Sequence, residues 1–439
     1  MKKVGYLLIF LANLVIIFYF WLSQSGGLLL SGPSGAFIAL GRIAGLLAVY
    51  LILWQLVLIG RVKLLEQAFG LDRLAIVHHL NGFLAWTFIF LHPVLLTVGY
   101  GLAGKLNFFS QVVDFFFNWP GLAAAFAAVA IFLIVIVLSW GAIQKKLKYE
   151  AWYYVHLLVY LAIIFSFSHQ LKLGADLHNN LFALYWYILY FEALALIIIY
   201  RFLKPLYLFW RHRFFVDRIE IISDRAFSIY LKGKNLQRFS VRPGQFAIFR
   251  FLNLRLVWEA HPFSFSQIAN GQELRITVKS LGDYTAVLPA QLKEGTHVLI
   301  DGPHGIFTNQ RTSNRKLALI AGGIGITPIR PLAEQARAEG KDVVVLCSAA
   351  SPEDIIFQEE LEKLSGPNFK LVFIVSNGSK WSGERGRINQ EKIERLLPDY
   401  AERDFFVCGP PPMIKSLRVI LKELKIKTSR IYFEKFSLY

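Results

Sequence analysis

The sequence predicts a multi-domain membrane protein: a six-helix transmembrane bundle, then an antiparallel β-barrel domain, then an α/β domain. Three observations predict it. Hydrophobic residues make up 55% of the 439, above the roughly 45–50% of a soluble domain, and the mean hydropathy is +0.47. The excess lies in the first half, in six long apolar runs. Beyond residue 213 the pattern turns to strand-like alternation, and beyond Lys316 to short β runs alternating with helical stretches. The expected domains are residues 1–210, 211–313 and 314–439.

The apolar runs cover Val4–Leu22, Ala36–Ile59, Leu74–Val98, Pro120–Ile143, Trp152–Phe167 and Leu181–Phe202. Most are long enough to cross about 30 Å of hydrocarbon at about 1.5 Å per residue. The first run is read as a retained span and not a signal peptide, because no small-residue cleavage site stands near Ser23–Gly27. Basic residues collect in alternate loops: Lys2 and Lys3; Arg61, Lys63 and Arg73; Lys145, Lys146 and Lys148; Arg201, Lys204 and Arg211. The Ser23–Gly35 loop is uncharged, and the other two carry only Lys105 with Asp114 and Lys172 with Asp176. Both termini are therefore expected in the cytoplasm. The net charge of +17 is explained by this distribution, so no nucleic-acid partner is expected. Two cysteines, Cys347 and Cys408, exclude a disulfide scaffold and an all-cysteine iron–sulfur cluster.

Histidines inside the spans are the strongest chemical signal, since intramembrane ionisable groups are costly and usually functional. His78 and His92 stand 14 residues apart in the third span. His156 and His169 stand 13 apart in the fifth. Along a helix these steps are about 21 and 20 Å. Two helices, each with an upper and a lower imidazole, suit two stacked planar metal centres such as haems. His78 would pair with His156 near the inner side, and His92 with His169 near the outer side. A 14-residue step returns to within about 40° of one helix face and a 13-residue step does not. The fifth span is therefore expected to bend, or its histidines to approach from different sides. His79 rivals His78. Arg42 and Glu192 are the other notable charges in the spans: Arg42 suits haem propionates, an anionic substrate or simple snorkelling, and Glu192 has no evident partner.

The soluble half reads as strands at Ser228–Leu231, Gln245–Phe251, Leu274–Lys279 and His297–Ile300. His261-Pro262-Phe263-Ser264 sets a hydroxyl beside an aromatic ring at a strand end, which suits a flavin. Lys279-Ser280-Leu281-Gly282-Asp283-Tyr284-Thr285 offers a cation, a flexible glycine and hydroxyls before a helical turn, which suits a pyrophosphate. In the α/β part, Gly322-Gly323-Ile324-Gly325-Ile326-Thr327-Pro328 follows the strand Leu317–Ile320 and opens a helix, a phosphate-approach pattern distinct from GxGxxG and from a Walker loop. Cys408-Gly409-Pro410-Pro411-Pro412-Met413 caps another strand, where such folds bind ligands. Cys347 is read as core. A ribose phosphate would need basic residues; Ser348–Ser351 has none, and Arg385 or Arg387 would have to reach in, with a slight lean to NADPH over NADH.

These residues together resemble a ferric reductase-like transmembrane domain fused to a ferredoxin–NADP reductase module, as in bacterial homologues of the NADPH oxidase and ferric-chelate reductase family. The match runs through the histidine spacing, His261–Ser264, Lys279–Thr285, Asp301-Gly-Pro-His-Gly305, Gly322–Pro328 and Cys408–Met413. The resemblance implies FAD, two b-type haems on His78, His92, His156 and His169, and NADPH or NADH as donor. It implies flavin contact by Ser264, pyrophosphate contact by Lys279, Gly282 and Thr285, and dinucleotide contact by Gly323, Gly325, Thr327, Cys408 and Gly409. It places an aromatic residue near the C-terminus over the flavin; Leu438 stands at the expected position, so Tyr439 or Phe436 would substitute. It implies a bacterial inner membrane location. No EF-hand control is expected, because no calcium loop precedes the spans.

The function so implied is a transmembrane oxidoreductase. Electrons would pass from cytoplasmic NAD(P)H through FAD and both haems to a small-molecule acceptor outside. Dioxygen giving superoxide is placed first, a ferric chelate or other external oxidant second, and a membrane or periplasmic protein third. A haem-free membrane sensor with a vestigial reductase domain is the reading from another class, and the two histidine pairs argue against it.

Overall fold

The computed structural model describes residues 2–144, 146–377 and 381–434. They fall into two compact units, the first running to Ile198 apart from Gly70–Asp72, the second comprising Gly70–Asp72 and the chain from Ile199. In the first, among the described residues, six helices are long and apolar enough to cross a membrane. They fall at Lys2–Ser25, Pro33–Ile59, Leu71–Gly104, Leu122–Ser139, the pair Tyr149–His156 and Leu158–Leu173, and Asn180–Ile197. A helix is the natural outcome for such runs, because in hydrocarbon every amide must be bonded within its own segment. The second span is the most enclosed of the six. Its Tyr50, Leu53 and Leu56 pack with Ile17, Phe182 and Trp186, while Leu80, Phe83, Ile164 and Phe191 face outward.

Two spans differ from their simplest reading. The fifth is interrupted at Leu157, one residue past His156, and Tyr160 N–H then closes a tighter turn on Leu157 O at 3.1 Å. The sixth continues through a wide π turn, Ile198–Leu203, into a helix at Lys204–His212. The basic segment Lys204–His212 is thus helical; Pro205 sits in its first turn, where a missing N–H costs nothing.

The second unit begins with β1 (Phe215–Ser223), β2 (Ala226–Lys232), β3 (Phe246–Phe251), β4 (His261–Ser264), β5 (Leu274–Lys279) and β6 (Val298–His304). The antiparallel barrel expected here is not confirmed as one continuous ladder. The strands form two three-stranded antiparallel sheets, β1-β2-β5 and β4-β3-β6, which touch through single bridges at Phe215–His297 and Phe265–Ile276. Register shifts in β1 against β2 and in β3 against β6 mark local bulges, which bend a strand. Both sheets still share one core, with Phe227, Ile229, Phe249, Phe251, Phe265 and Ile276 buried together. Strand β1 is absent from the sequence reading, because Asp217, Arg218 and Glu220 give it a polar face.

Beyond it, β7 (Lys316–Gly322), β8 (Asp342–Ala349), β9 (Phe369–Val375), β10 (Glu384–Arg385), β11 (Asp404–Cys408) and β12 (Ile431–Glu434) form one parallel sheet, ordered β10-β9-β8-β7-β11-β12. Helices Ile326–Ala338 and Pro411–Glu423 pack on it. From β7 the chain builds outward to β10, then returns to the other side of β7 as β11. That reversal makes the C-terminal ends of β7 and β11 a topological switch point, where such sheets bind ligands.

Candidate functional site

In the transmembrane unit the four histidines come together as two pairs. The His78 and His156 ring centres lie 6.3 Å apart, and those of His92 and His169 also 6.3 Å. Imidazoles bonded on opposite sides of one metal at about 2 Å would have ring centres about 6 Å apart. Among the described residues no three His, Cys, Asp or Glu side chains gather at one point. His79 is exposed and packs edge-on against Phe83 instead.

The surroundings fix the rings. His92 Nδ1 lies 2.8 Å from Gly41 O; a carbonyl only accepts, so Nδ1 carries the proton and Nε2 keeps its lone pair for a ligand role. Gly45 makes the approach possible, since a Cβ there would stand 2.6 Å from His92 Nδ1. Trp152 packs against His156 at 5.3 Å between ring centres and donates its indole N–H to Ser139 Oγ at 3.2 Å, while His156 Nδ1 lies 3.4 Å from that hydroxyl. Among the described residues His78 Nδ1 and His169 Nδ1 are buried without a hydrogen-bond partner. Arg42, half-buried, donates to Ser25 Oγ at 3.1 Å, and that hydroxyl donates to Asp176 Oδ1 at 2.6 Å. Glu192 is exposed on its helix.

In the second unit β4 delivers His261 through Ser264. Its pairing with β3 fixes them, His261 opposite Phe249 and Ser264 opposite Phe246. Ser264 is buried and Phe263 half-buried. His261 stacks on Tyr284 at 3.9 Å and meets Glu259 Oε2 at 2.9 Å, so the two sequence motifs are in direct contact. Thr285 Oγ1 accepts from the Leu281 and Gly282 amides at 3.0 and 3.2 Å, capping the helix Asp283–Gln291. Ser280 is half-buried and donates its amide to Arg225 O. Lys279 is engaged by Asp354 at 2.7 Å.

The glycine loop and the proline turn also meet, because β7 and β11 are parallel neighbours with Cys408 opposite Ala321. A Cβ on Gly325 would stand 2.2 Å from Cys408 O, and Gly323 adopts φ +52°; both positions need glycine. Thr327 is buried, with its hydroxyl donating to Ile324 O at 2.9 Å, and Pro328 follows within the helix. Gly322 and Gly409 pack against Met413, and a Cβ on Gly322 would stand 2.9 Å from Pro410 Cδ. A cleft beside them is lined by Ala321, Gly323, Ile326, Ser348, Ala349 and Asp354; Cys347, read as core, also reaches its wall. Burial pushes the Cys347 thiol up to about 12 and that of Cys408 well above its usual range, so both are neutral thiols at pH 7. Phe436 and Tyr439 lie outside the described residues.

Four residues escape the sequence reading. Asp354 holds Lys279, and Glu360 holds both Arg275 at 2.7 Å and Arg330 at 2.8 Å. Arg275 is buried, so the strand that carries Lys279 is tied to the nucleotide-binding part by charge. No local pattern signals pairs separated by 75 and 85 residues.

The fold and sites define a membrane-anchored oxidoreductase with FAD-binding and NAD-binding domains. Three family models match in order: "Ferric reductase like transmembrane component" over residues 44–167, "FAD-binding domain" over 213–317, and "Oxidoreductase NAD-binding domain" over 319–418. The chain is thus a fusion of a ferric reductase-like transmembrane domain with a ferredoxin–NADP reductase-type module. Among curated proteins it is 32% identical over 213 residues to the glycine betaine monooxygenase reductase subunit of Pseudomonas aeruginosa, covering 45% of this chain and 57% of that protein. It is 25% identical over 230 residues to the toluate 1,2-dioxygenase electron transfer component of Pseudomonas putida, covering 51% and 66%. The chain therefore spans less than two thirds of either relative. Among solved structures, the cytochrome b5 reductase domain of Ulva prolifera nitrate reductase aligns with TM-score 0.47 and 19% identity, over 51% of this chain and 98% of that one.

Proposed function

We propose that the protein carries electrons from cytoplasmic NADPH or NADH, through FAD and two b-type haems, to an acceptor on the outer side of a bacterial inner membrane. The observation that carries the reading is the pairing of four intramembrane histidines at one repeated spacing, 6.3 Å, upstream of FAD- and NAD-binding domains. When bound, the flavin accepts a hydride and the haems relay single electrons. His78 with His156 would hold the inner haem, and His92 with His169 the outer one. Gly41 O keeps the His92 proton on Nδ1 and so leaves Nε2 free to bind.

In the second unit, Ser264 and Phe263 would face the flavin ring, and Lys279, Ser280, Gly282 and Thr285 would lie along its pyrophosphate. Gly322, Gly323, Gly325, Thr327 and Pro328, with Cys408, Gly409 and Pro410, would line the dinucleotide. Cys408 would act as a neutral thiol against the nicotinamide, and Phe436 or Tyr439 would cover the flavin. Dioxygen, giving superoxide, is the acceptor we place first, a ferric chelate second, and a protein acceptor third. The two curated relatives are named as a reductase subunit and an electron transfer component, which supports the coarser reading of electron transfer.

The test is an anaerobic visible spectrum of the purified protein before and after NADH or NADPH, with haem and FAD counted on the same sample. Two low-spin b-type haems reduced through one FAD are expected. Haem that never binds, or that NAD(P)H never reduces, overturns the path. Admitting dioxygen or a ferric chelate then ranks the acceptors.

A further inference from the structure

Gln170 follows His169 on the fifth span, and both ends of its amide are bonded. Its Oε1 accepts the Trp186 indole N–H at 3.0 Å, and its Nε2 donates to Tyr190 Oη and to Ser166 O, each at 3.0 Å. Trp186 and Tyr190 stand one turn apart on the sixth span, 0% and 7% exposed. Phe167 packs on Tyr190 beside them, with ring centres 4.7 Å apart. One side chain thus braces the end of the fifth span against the sixth.

This brace fixes the direction of His169. Successive helical residues point about 100° apart. Holding Gln170 to the sixth span therefore turns His169 aside, where its ring meets that of His92 at 6.3 Å between centres and 35° between planes. The tolerance is small. A side-chain tip stands about 5–6 Å from the helix axis, so a turn of about 20° carries it through about 2 Å. A preorganised site holds its groups to about 0.5 Å, or roughly 5° of such a turn. His92 is held from its own ring by Gly41 O; among the described residues His169 Nδ1 has no such bond. The interruption at Leu157 also makes Leu158–Leu173 a helix of its own, so its rotation is not inherited from the turn that carries His156. Gly121, at the head of the fourth span, approaches the same backbone: a Cβ there would stand 3.8 Å from His169 Cα.

We propose that Gln170 is the positioning residue of the His92–His169 site. Through Trp186 and Tyr190 it sets the rotation of the outer part of the fifth span, and with it the angle at which the two imidazoles face a bound haem. The inference rests on the haem reading of the histidine pairs. A brace that served stability alone could be replaced by apolar side chains, because removing both partners of a buried hydrogen bond together is nearly neutral. A positioning brace could not.

The test uses the full chain, purified with its haems, in the ferric state. The low-spin EPR signal of a haem held by two imidazoles follows the angle between their planes, and the two pairs differ, at 35° and 62°. His78→Ala, which leaves the His92–His169 pair intact, assigns the signals. Gln170→Leu, alone and combined with Trp186→Phe and Tyr190→Phe, is compared with Tyr50→Phe, which removes a 2.9 Å bond to Phe10 O between the second and first spans. The combined variant removes both ends of the Trp186 and Tyr190 bonds and is expected to melt close to the wild type. In both Gln170 variants the His92–His169 signal is expected to shift or disappear while the His78–His156 signal stays, and Tyr50→Phe is expected to move neither. An unmoved His92–His169 signal in the combined variant overturns the proposal. Equal loss at both pairs overturns it too, since a role in folding alone does that. A wild-type chain that binds no haem instead overturns the pair assignment itself.

Discussion

Gly45→Ala puts the outer histidine pair under a defined strain. The added Cβ would stand 2.6 Å from His92 Nδ1 and 2.7 Å from Cε1, where ordinary contact begins at 3.4 Å. The ring must withdraw by about 0.8 Å, because the opposing wall is helix backbone and gives little. That carries Nδ1 from 2.8 Å to roughly 3.6 Å from Gly41 O, beyond a hydrogen bond. Losing an outer-shell partner of a metal-ligating histidine typically costs about 10–100-fold in affinity, or about 1.4–2.7 kcal/mol. The expected result is haem content falling from two per chain towards one, with the lost spectrum that of the outer haem and with FAD content unchanged. Gly5→Ala, which meets nothing within 4 Å, is the reference. Two haems with unaltered spectra in Gly45→Ala would refute the assignment of His92 and the role given to Gly41.

Three further expectations concern single side chains. His78→Ala should remove the inner haem while His79→Ala, exposed against Phe83, leaves haem content at two; equal losses would reject the choice between them. Ser264→Ala should lower FAD content or slow flavin reduction by NAD(P)H without changing the haem spectrum, and normal kinetics with full FAD would remove Ser264 from the site. Lys279 beside Asp354 holds that carboxyl below its ordinary value of 3.8. A depressed folded value stabilises the fold above about pH 4 and is lost as pH falls through it. Asp354→Asn should therefore cost on the order of 1 kcal/mol near neutral pH and progressively less in acid; a melting difference that does not shrink as pH falls below 3.8 contradicts the pairing.

What the sequence made legible follows from the range of the interactions. The strand Leu274–Lys279 and the glycine loop at Gly322 are written in local alternation and in backbone need, and both stand where the sequence places them. The division into two sheets is not local. How the strands join depends on partners far apart in the chain, such as Phe215 with His297 and Phe265 with Ile276. The partner of Lys279 was equally hidden. A cation beside a flexible glycine reads as a phosphate ligand, and only the fold shows that Asp354 already stands at 2.7 Å.

The fifth span joins these two kinds of information. Its sequence carries no proline and no glycine between His156 and His169, so nothing in it marks a break. Yet the spacing itself demands one, because a 13-residue step on a straight helix cannot repeat what a 14-residue step does on the third span. The interruption at Leu157 changes the helical phase between the two histidines, and both pairs then reach the same 6.3 Å. A histidine pattern that looks one residue too short thus specifies, with the break it requires, two equal sites at two depths. Inserting two alanines after Leu157 would rotate His156 against His169 by about 200° along the helix and should cost one haem. A sample that still holds two haems would show that the helical phase between the two histidines does not set the sites.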